Sequence, residues 1–233
     1  MIHVATTNKP LSESQENYLK QIYLLTEQGV SAATQDLAAD LGVAPASVTV
    51  MVQKLQELGL VTYEPYRGAL LSGQGKIVAI ELIRHHRLLE SFLEKALGYG
   101  WEEVHDEADR LEHYISETFE NKIAEWLGHP EFDPHGDPIP DAQLRFPSGA
   151  RCDCLATLHP GAKGVLSRVA TQDRDELNLF KQLLLVPGAV IEVLETSGDS
   201  LRLRTGESSA TQKNRFLIPL SLAQRLFLVR ENV

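Results

Sequence analysis

The stretch TQDLAADLGVAPASVTVMVQKLQEL, residues 34–58, decides the fold. Thr34 begins a short amphipathic helix that ends near Leu41, and Gly42-Val43-Ala44 follows as a tight turn. Pro45 suits the first turn of a second helix, because the N–H that proline lacks would be unpaired there. Two helices joined by a three-residue turn are typical of a helix-turn-helix, so the sequence predicts a DNA-binding module.

The flanking sequence completes a winged version of this module. Residues 12–28 predict a preceding helix, with a capping box between Ser12 and Gln15. Residues 60–72 predict two short strands around a Pro-Tyr-Arg-Gly turn, which together form a hairpin wing. These elements place a DNA-binding domain at residues 1–72.

The start of the second helix is predicted to read DNA. Its small polar and apolar side chains suit base edges and thymine methyl groups: Pro45, Ala46, Ser47, Thr49 and Val50. Lys54 and Arg67 are interpreted as phosphate contacts, with Tyr66 beside them in the wing. Alternatively, Lys54 and Arg67 are ordinary solvated surface charges. Few of these side chains can make bidentate bonds to bases, so DNA shape is expected to contribute.

Residues 73–127 predict a helical domain with a metal site. The helices are predicted at 74–97, 102–113 and 116–127, and their apolar surface exceeds what one layer needs, which favours a homodimer. The candidate ligands form two sets with helical spacing: His86 and Glu90; His105, Asp109, Glu112 and His113. Each set lies on one helix face, and imidazoles gathered with carboxylates are suited to a divalent cation. His85 is interpreted as a solvated surface residue.

The rest of the chain has a different character. Residues 128–154 are rich in proline and glycine and predict a semi-rigid linker. From residue 155 to 233 the pattern predicts a small β-barrel with one helix at 174–185. Cys152 and Cys154 are interpreted as ordinary thiols, and a soft-metal pair is the alternative. The expected fold is mostly α with a small β domain.

Charge and hydropathy restrict the class of protein. The net charge of −10 is unfavourable for DNA binding, but residues 73–127 hold 12 acidic against 6 basic side chains. Bound cations would neutralise part of this acid and weaken its repulsion of phosphates. No apolar run approaches the roughly 18 residues of a membrane span, and the N-terminus has no signal-peptide pattern. We therefore expect a cytoplasmic protein without a membrane partner or a small-molecule substrate.

The order of these segments resembles the diphtheria toxin repressor family of iron- or manganese-dependent bacterial repressors. Residues 16–23 resemble the first helix of that family, and residues 47–55 and 63–68 are similar to its manganese branch. His86-Arg87-Leu88-Leu89-Glu90, His105 and the Glu112-His113 pair match its ligand positions. Residues 155–233 resemble the SH3-like, FeoA-like domain of the iron branch. The resemblance implies a homodimer that binds a palindromic double-stranded DNA operator and controls metal-uptake genes.

The same resemblance implies two metal sites in each chain. The primary site would use Asp109, Glu112, His113 and Asn17. The ancillary site would use His86, Glu90, His105 and Glu176. The iron branch has Cys at position 109 and Met at position 17. The manganese branch has carboxylates at positions 17 and 20, where this chain has Asn17 and Lys20.

A ligand set of oxygen and nitrogen without thiolate favours a hard cation, so Mn²⁺ is the expected co-repressor and Fe²⁺ the alternative. Two other functions stay open. One is a metal-independent winged-helix regulator whose acidic stripe is only a solvated helix face. The other is a metalloenzyme, against which stand the DNA-binding module and the lack of a nucleophile motif or phosphate loop. We expect a protein that is not an enzyme.

Overall fold

The structure is a computed structural model that describes residues 10–27, 29–148, 152–206 and 214–230. It divides into two compact units. The first comprises Met1–Leu89, Asp109–His129 and Pro140–Phe146, and the second comprises Glu90–Ala108, Pro130–Ile139 and Pro147–Val233. The predicted fold class, mostly helical with a small β domain, is confirmed.

The first unit begins with the winged helix-turn-helix. Its elements are α1 (Glu13–Thr26), α2 (Thr34–Asp40), α3 (Pro45–Glu57), β1 (Val61–Glu64) and β2 (Gly68–Leu71). The capping box is present: the Ser12 side chain accepts from the Gln15 N–H, and the Gln15 side chain accepts from the Ser12 N–H. The two strands pair antiparallel, with Val61 opposite Leu71.

The core of this module comes from the apolar positions of its helices. Buried side chains from α1, α2, α3 and the turn before β1 pack together: Leu19, Ile22, Leu37, Val48, Val52, Leu55 and Leu60. Because Val48, Val52 and Leu55 occupy one face of α3, the opposite face is left in solvent. The core therefore orients α3 so that its N-terminal turns are exposed.

The helical region follows as α4 (Gly73–Leu97), α5 (Val104–Leu111) and α6 (Glu117–Trp126). All residues from Leu82 to Ser91 in the middle of α4 are buried, although many of them are charged. Arg84 donates hydrogen bonds to Glu120 and to the Pro140 carbonyl. A long helix buried all round must pair its charges with other elements, as this one does.

The interpretation of His85 as a solvated residue is wrong. Its side chain is 3% exposed. Nε2 lies 3.0 Å from Glu120 Oε2, and Nδ1 lies 3.1 Å from the Glu112 carbonyl oxygen. Helical periodicity indicates which face of α4 is apolar, but it does not reveal that α6 covers a polar one.

The second unit contains an antiparallel sheet of six strands in the order β3-β8-β4-β5-β6-β7. The strands are β3 (Asp153–Cys154), β4 (Lys163–Val169), β5 (Val190–Ser197), β6 (Ser200–Thr205), β7 (Asn214–Pro219) and β8 (Leu226–Arg230). Helix α7 (Arg174–Gln182) buries Leu177 and Phe180, and the short α8 (Leu220–Ala223) precedes β8. The sequence pattern identified β4, β5, β6 and α7 but not the other strands.

Part of the proline-rich segment is packed into the second unit. Residues 130–139 bury Asp133, His135, Asp137 and Ile139. Cys152 is exposed and Cys154 is half-buried, and neither forms a disulfide bond. Among the described residues, no helix has both the length and the hydropathy that crossing a bilayer requires.

Candidate metal centre

Three predicted ligands meet in the first unit around the side chain of Lys20. The Nδ1 of His86 lies 2.5 Å from Glu112 Oε2 and 3.2 Å from Asp109 Oδ1. The ammonium of Lys20 donates to Asp109 Oδ1 at 3.0 Å and to Glu112 Oε2 at 2.8 Å. Its Nζ is also 3.1 Å from His86 Nδ1. A positive charge thus touches all three ligand atoms, as a metal ion bound by them would.

The electrostatics of Glu112 reflect this arrangement. Its side chain is 1% exposed. Burial by itself raises the pKa of Glu112, but the ammonium of Lys20 and the imidazole of His86 outweigh burial and hold that pKa below its ordinary value. The site is therefore built to keep a buried carboxylate ionised beside a cation.

His113 is placed by a residue that sequence analysis missed. Its Nδ1 lies 2.6 Å from Glu16 Oε2, and both residues are buried. Its Nε2 lies 3.7 Å from Glu112 Oε1. A histidine that donates one N–H to a carboxylate and presents the other nitrogen is the usual arrangement of a metal ligand. Glu16 precedes Lys20 by one helical turn, and that spacing is the signal that could have identified it.

The other predicted ligands are distributed over both units. Glu90 and His105 lie in the second unit with Oε1 and Nδ1 3.2 Å apart. His86 is one helical turn before Glu90 on α4. The grouping of His86 with Asp109 and Glu112 differs from the two ligand sets that the resemblance implies. Asn17 lies half-buried on α1, next to Glu16.

Glu176 lies half-buried in the first turn of α7. Its Oε2 is buried and makes no hydrogen bond within the described ranges. Arg174, also in that turn, forms a 2.9 Å ion pair with Asp106 of α5. No group of three or more ligands among the described residues contains Glu176. A buried carboxylate oxygen without a partner is costly, and metal ligation is one way to satisfy it.

The predicted DNA-contacting residues form an exposed surface on α3 and the wing. Thr49 is half-buried, and the other seven are exposed: Pro45, Ala46, Ser47, Val50, Lys54, Tyr66 and Arg67. Val50 is 67% exposed. Tyr66, at the tip of the wing with φ 67°, is fully in solvent. Arg67 pairs with Glu64 at 3.0 Å.

Three protein families match successive parts of the chain. Residues 10–69 match "Iron dependent repressor, N-terminal DNA binding domain". Residues 72–141 match "Iron dependent repressor, metal binding and dimerisation domain". Residues 154–229 match the FeoA domain.

Individual relatives agree with these matches. The iron-dependent repressor IdeR of Mycobacterium leprae is 32% identical over 214 residues, which cover 86% of this chain and 93% of the relative. The HTH-type transcriptional regulator MntR of Bacillus subtilis is 38% identical over 120 residues, covering 52% of this chain and 84% of MntR. A solved structure described as a manganese-dependent transcriptional repressor in complex with manganese is 31% identical, with a TM-score of 0.84. That match covers 93% of this chain and 100% of the solved one.

Proposed function

The chain belongs to the iron-dependent repressor family of metal-responsive transcription regulators, and we propose that Mn²⁺ is its co-repressor, with Fe²⁺ as the alternative. The observation that carries the proposal is the convergence of His86, Asp109 and Glu112 on one point in the unit that contains the helix-turn-helix. Lys20 of α1 contacts this cluster, and Glu16 of the same helix contacts the neighbouring His113. Helix α1 also packs against α3 in the core. The same helix therefore contacts both the ligand cluster and the recognition helix.

When bound, the ion would supply a compact divalent charge that the carboxylates would partly neutralise and the imidazoles would coordinate. The proposed primary site uses Asp109, Glu112 and His113, with Asn17 from α1. The proposed ancillary site uses His86, Glu90, His105 and Glu176. Two sites per chain follow, and all their ligands are oxygen or nitrogen, which suits Mn²⁺ or Fe²⁺. Co²⁺, Ni²⁺ and Zn²⁺ would bind the same ligands more tightly in vitro, so affinity alone does not identify the physiological metal.

The α3 surface would enter the major groove. Ser47 and Thr49 are placed to bond bases or phosphates, and Val50 with its small neighbours Pro45 and Ala46 to meet thymine methyl groups. Lys54, Tyr66 and Arg67 would hold the DNA backbone on either side. Such contacts need no rearrangement within α3, because its buried face already fixes which side chains are exposed.

We propose a homodimer that reads a palindromic operator controlling metal-uptake genes. Large apolar side chains are exposed on the helices after the wing, including Ile77 at 47%, Phe119 at 47% and Trp126 at 59%. Exposed apolar surface of this kind supports subunit association. Recognition helices about 34 Å apart would meet two half-sites, and a metal that binds this arrangement better shifts the population toward it.

The remaining parts of the proposal follow from action on DNA. The protein would work in the cytoplasm, without a membrane partner, a small-molecule substrate or catalysis. The proposed domains are the DNA-binding domain at 1–72, the metal-binding and dimerisation domain at 73–127, the linker at 128–154 and the SH3-like domain at 155–233.

A metal-independent regulator is the second candidate, and a specific contact favours it. The ammonium of Lys20 already compensates Asp109 and Glu112 without any ion. A fixed cation of this kind would hold α1 against the ligand-bearing residues permanently. The test must therefore compare metal-free and metal-loaded protein directly.

The first experiment measures fluorescence anisotropy of a labelled palindromic operator from the upstream region of the protein's own gene. Metal-free protein, protein with Mn²⁺ and protein with Fe²⁺ under anaerobic conditions are titrated at one salt concentration. We expect specific binding only with metal, and the lower half-saturating metal concentration ranks the two ions. Equal binding without metal would contradict the proposal and support the metal-independent regulator.

Replacing one ligand tests the site itself. We expect Asp109→Ala to abolish metal-stimulated DNA binding and leave the circular dichroism spectrum unchanged, because the side chain of Asp109 is half exposed. The matched control is Asp106→Ala, which removes a carboxylate of similar exposure from the same helix. DNA affinity that still rises with Mn²⁺ in Asp109→Ala would refute the role of this residue.

A further inference from the structure

One face of helix α1 makes a series of contacts within the first unit. Its side chains are spaced three, four and three residues apart, which puts them on the same side of the helix: Glu13, Glu16, Lys20 and Tyr23. Glu13 accepts from the Tyr114 hydroxyl. Glu16 contacts His113, and Lys20 contacts Glu112. These three contacts are made to proposed ligands or to the neighbour of one, whereas the partner of Tyr23 comes from another segment.

The partner of Tyr23 is Phe146, at the end of a segment that we call the strap, residues 140–146. The two rings stack with their centroids 6.0 Å apart and their planes 17° from parallel. The guanidinium carbon of Arg87, on α4, lies 6.0 Å from the centroid of the Phe146 ring. Both separations are in the range of attractive aromatic and cation–π contacts. One side chain of the strap therefore contacts α1 and α4 together.

The strap is held in place by its own hydrogen bonds and by α4. Asp141 Oδ1 accepts from the Arg145 N–H at 3.0 Å, and the Asp141 N–H donates to the Arg145 carbonyl at 2.8 Å. The Pro140 carbonyl accepts a hydrogen bond from Arg84 of α4. Phe146 therefore follows directly on a closed turn that is already attached to α4.

Tyr23 connects the strap with the DNA-binding module. Its side chain is half-buried and packs against the core that contains Val48 and Val52 of α3. The stack with Phe146 therefore restrains α1, the helix that also contacts the ligand cluster and the recognition helix. Neither ring belongs to a proposed ligand, so this restraint is present without an ion.

We infer that Phe146 is a positioning residue for metal-responsive DNA binding, which holds α1 against α4 in the metal-free chain. The inference rests on the proposed function, in which the metal and the operator both prefer one arrangement of α1. A contact that favours this arrangement without an ion raises the fraction of metal-free chains that are ready to bind metal. The apparent metal affinity is proportional to that fraction. Once metal saturates its sites, the arrangement is populated with or without the strap contact.

Phe146→Leu tests the inference, because it keeps an apolar side chain and removes the aromatic ring. Isothermal titration calorimetry with Mn²⁺ measures metal affinity, and fluorescence anisotropy at saturating Mn²⁺ measures operator affinity. We expect the dissociation constant for Mn²⁺ to rise about two- to tenfold, the range that an aromatic pair is worth, with the number of bound ions unchanged. Operator affinity at saturating Mn²⁺ should stay the same. Phe146→Tyr keeps the ring and should bind Mn²⁺ as the unmodified protein does.

Hydrogen exchange of the metal-free protein measures how firmly α1 is held, without metal or DNA. Backbone amides exchange faster when the element that contains them opens more often. We expect the amides of residues 21–26 to exchange faster in Phe146→Leu, while those of β4 keep their rates. Adding Phe146→Leu to Tyr23→Leu should give no further increase, because the contact between the rings is already lost. The matched control is Phe132→Leu, which removes an exposed ring in the second unit and should change no rate in α1.

Three outcomes would overturn the inference. Unchanged exchange in α1 of folded Phe146→Leu would mean that the strap does not hold this helix. Faster exchange with unchanged Mn²⁺ affinity would mean that the arrangement it holds is not the one that the metal prefers. Weaker operator binding at saturating Mn²⁺ would place the effect of Phe146 in DNA binding or subunit association.

Failure of the proposed function would be seen separately. It appears in the unmodified protein, as equal operator binding with and without metal. The exchange rates of Phe146→Leu would then still decide whether the strap holds α1, because they are measured without either ligand.

Discussion

At the scale of single residues, Lys20 is a tethered cation inside a candidate metal site. Its side chain is 14% exposed, and Glu112 beside it is 1% exposed. The ammonium neutralises the carboxylates in the absence of an ion, and it stands in the way of one. Metal affinity at this site is therefore the difference between binding the ion and displacing Lys20.

Removing this charge should have opposite effects on stability and on metal binding. We expect Lys20→Met to lower the free energy of unfolding of the metal-free protein by ~3–5 kcal/mol, because Glu112 loses a buried partner. The same variant should bind Mn²⁺ about tenfold more tightly or better, since a charge only a few ångströms from the ion is gone. Urea unfolding and isothermal titration calorimetry measure the two effects.

Lys122→Met is the matched control for Lys20→Met. Its side chain is 73% exposed and pairs only with Glu125 on the surface, so neither quantity should change appreciably. Unchanged or weaker Mn²⁺ binding by Lys20→Met would show that the ammonium does not compete for the ligands.

At the scale of elements, buried charges connect α4 with α6. Glu120 accepts from Arg84 and pairs with His85. Burial by itself raises the pKa of Glu120, but its bonds to His85 and Arg84 hold that pKa below the ordinary value. The ion pairs therefore fix the position of α4 beside the turn that carries Glu112 and His113.

The lowered pKa of Glu120 gives the first unit a stability that depends on pH. The contribution is fully present above the unfolded carboxyl pKa of about 4.3 and is lost as the pH falls through the lower folded value. We expect Glu120→Ala to lower the free energy of unfolding by ~3–5 kcal/mol at neutral pH, because it leaves Arg84 and His85 buried without their partner. Urea unfolding of metal-free protein from pH 7 to pH 3 measures both effects.

The difference between Glu120→Ala and the unmodified protein should shrink toward pH 3. Glu117→Ala, an exposed acid on the same helix, is the control and should cost no more than about 1 kcal/mol. A constant difference across the pH range would contradict the assignment of the lowered pKa to Glu120.

At the scale of the whole molecule, an acidic protein exposes the two cations that we propose to contact DNA. The net charge is −10, yet Lys54 and Arg67 are exposed beside the α3 face. Each cation that neutralises a phosphate releases counterions, so under this proposal Lys54 and Arg67 would contribute to the salt dependence of DNA binding.

Lys54→Gln should weaken operator binding and flatten its salt dependence. With Mn²⁺ saturating, we expect the slope of log affinity against log salt to fall in magnitude by about 0.9 for each phosphate that the variant no longer neutralises. Fluorescence anisotropy between 50 and 200 mM salt, roughly the range over which such slopes are resolved, provides the measurement. The control is Lys122→Gln, which changes the net charge by the same amount and should leave the slope of log affinity against log salt unchanged. An unchanged slope for Lys54→Gln would show that Lys54 contacts no phosphate.

The sequence by itself determined the helices, part of the strands and the residue types of the candidate site. Helical spacing identified α1 to α6, because apolar side chains on a helix repeat with its turn. The same spacing selected His86, Asp109 and Glu112 as candidate ligands. Strands β7 and β8 were not predicted, because short strands with mixed polarity contain too few residues to show a clear alternation of apolar and polar side chains.

Only the tertiary structure decided which side chains meet. Lys20 and Glu112, like Glu16 and His113, are more than 90 residues apart in the chain. The burial of His85 by α6 and the approach of His135 to Glu90 likewise depend on packing between distant segments. A local pattern reports the face of its own helix and carries no information on what covers that face.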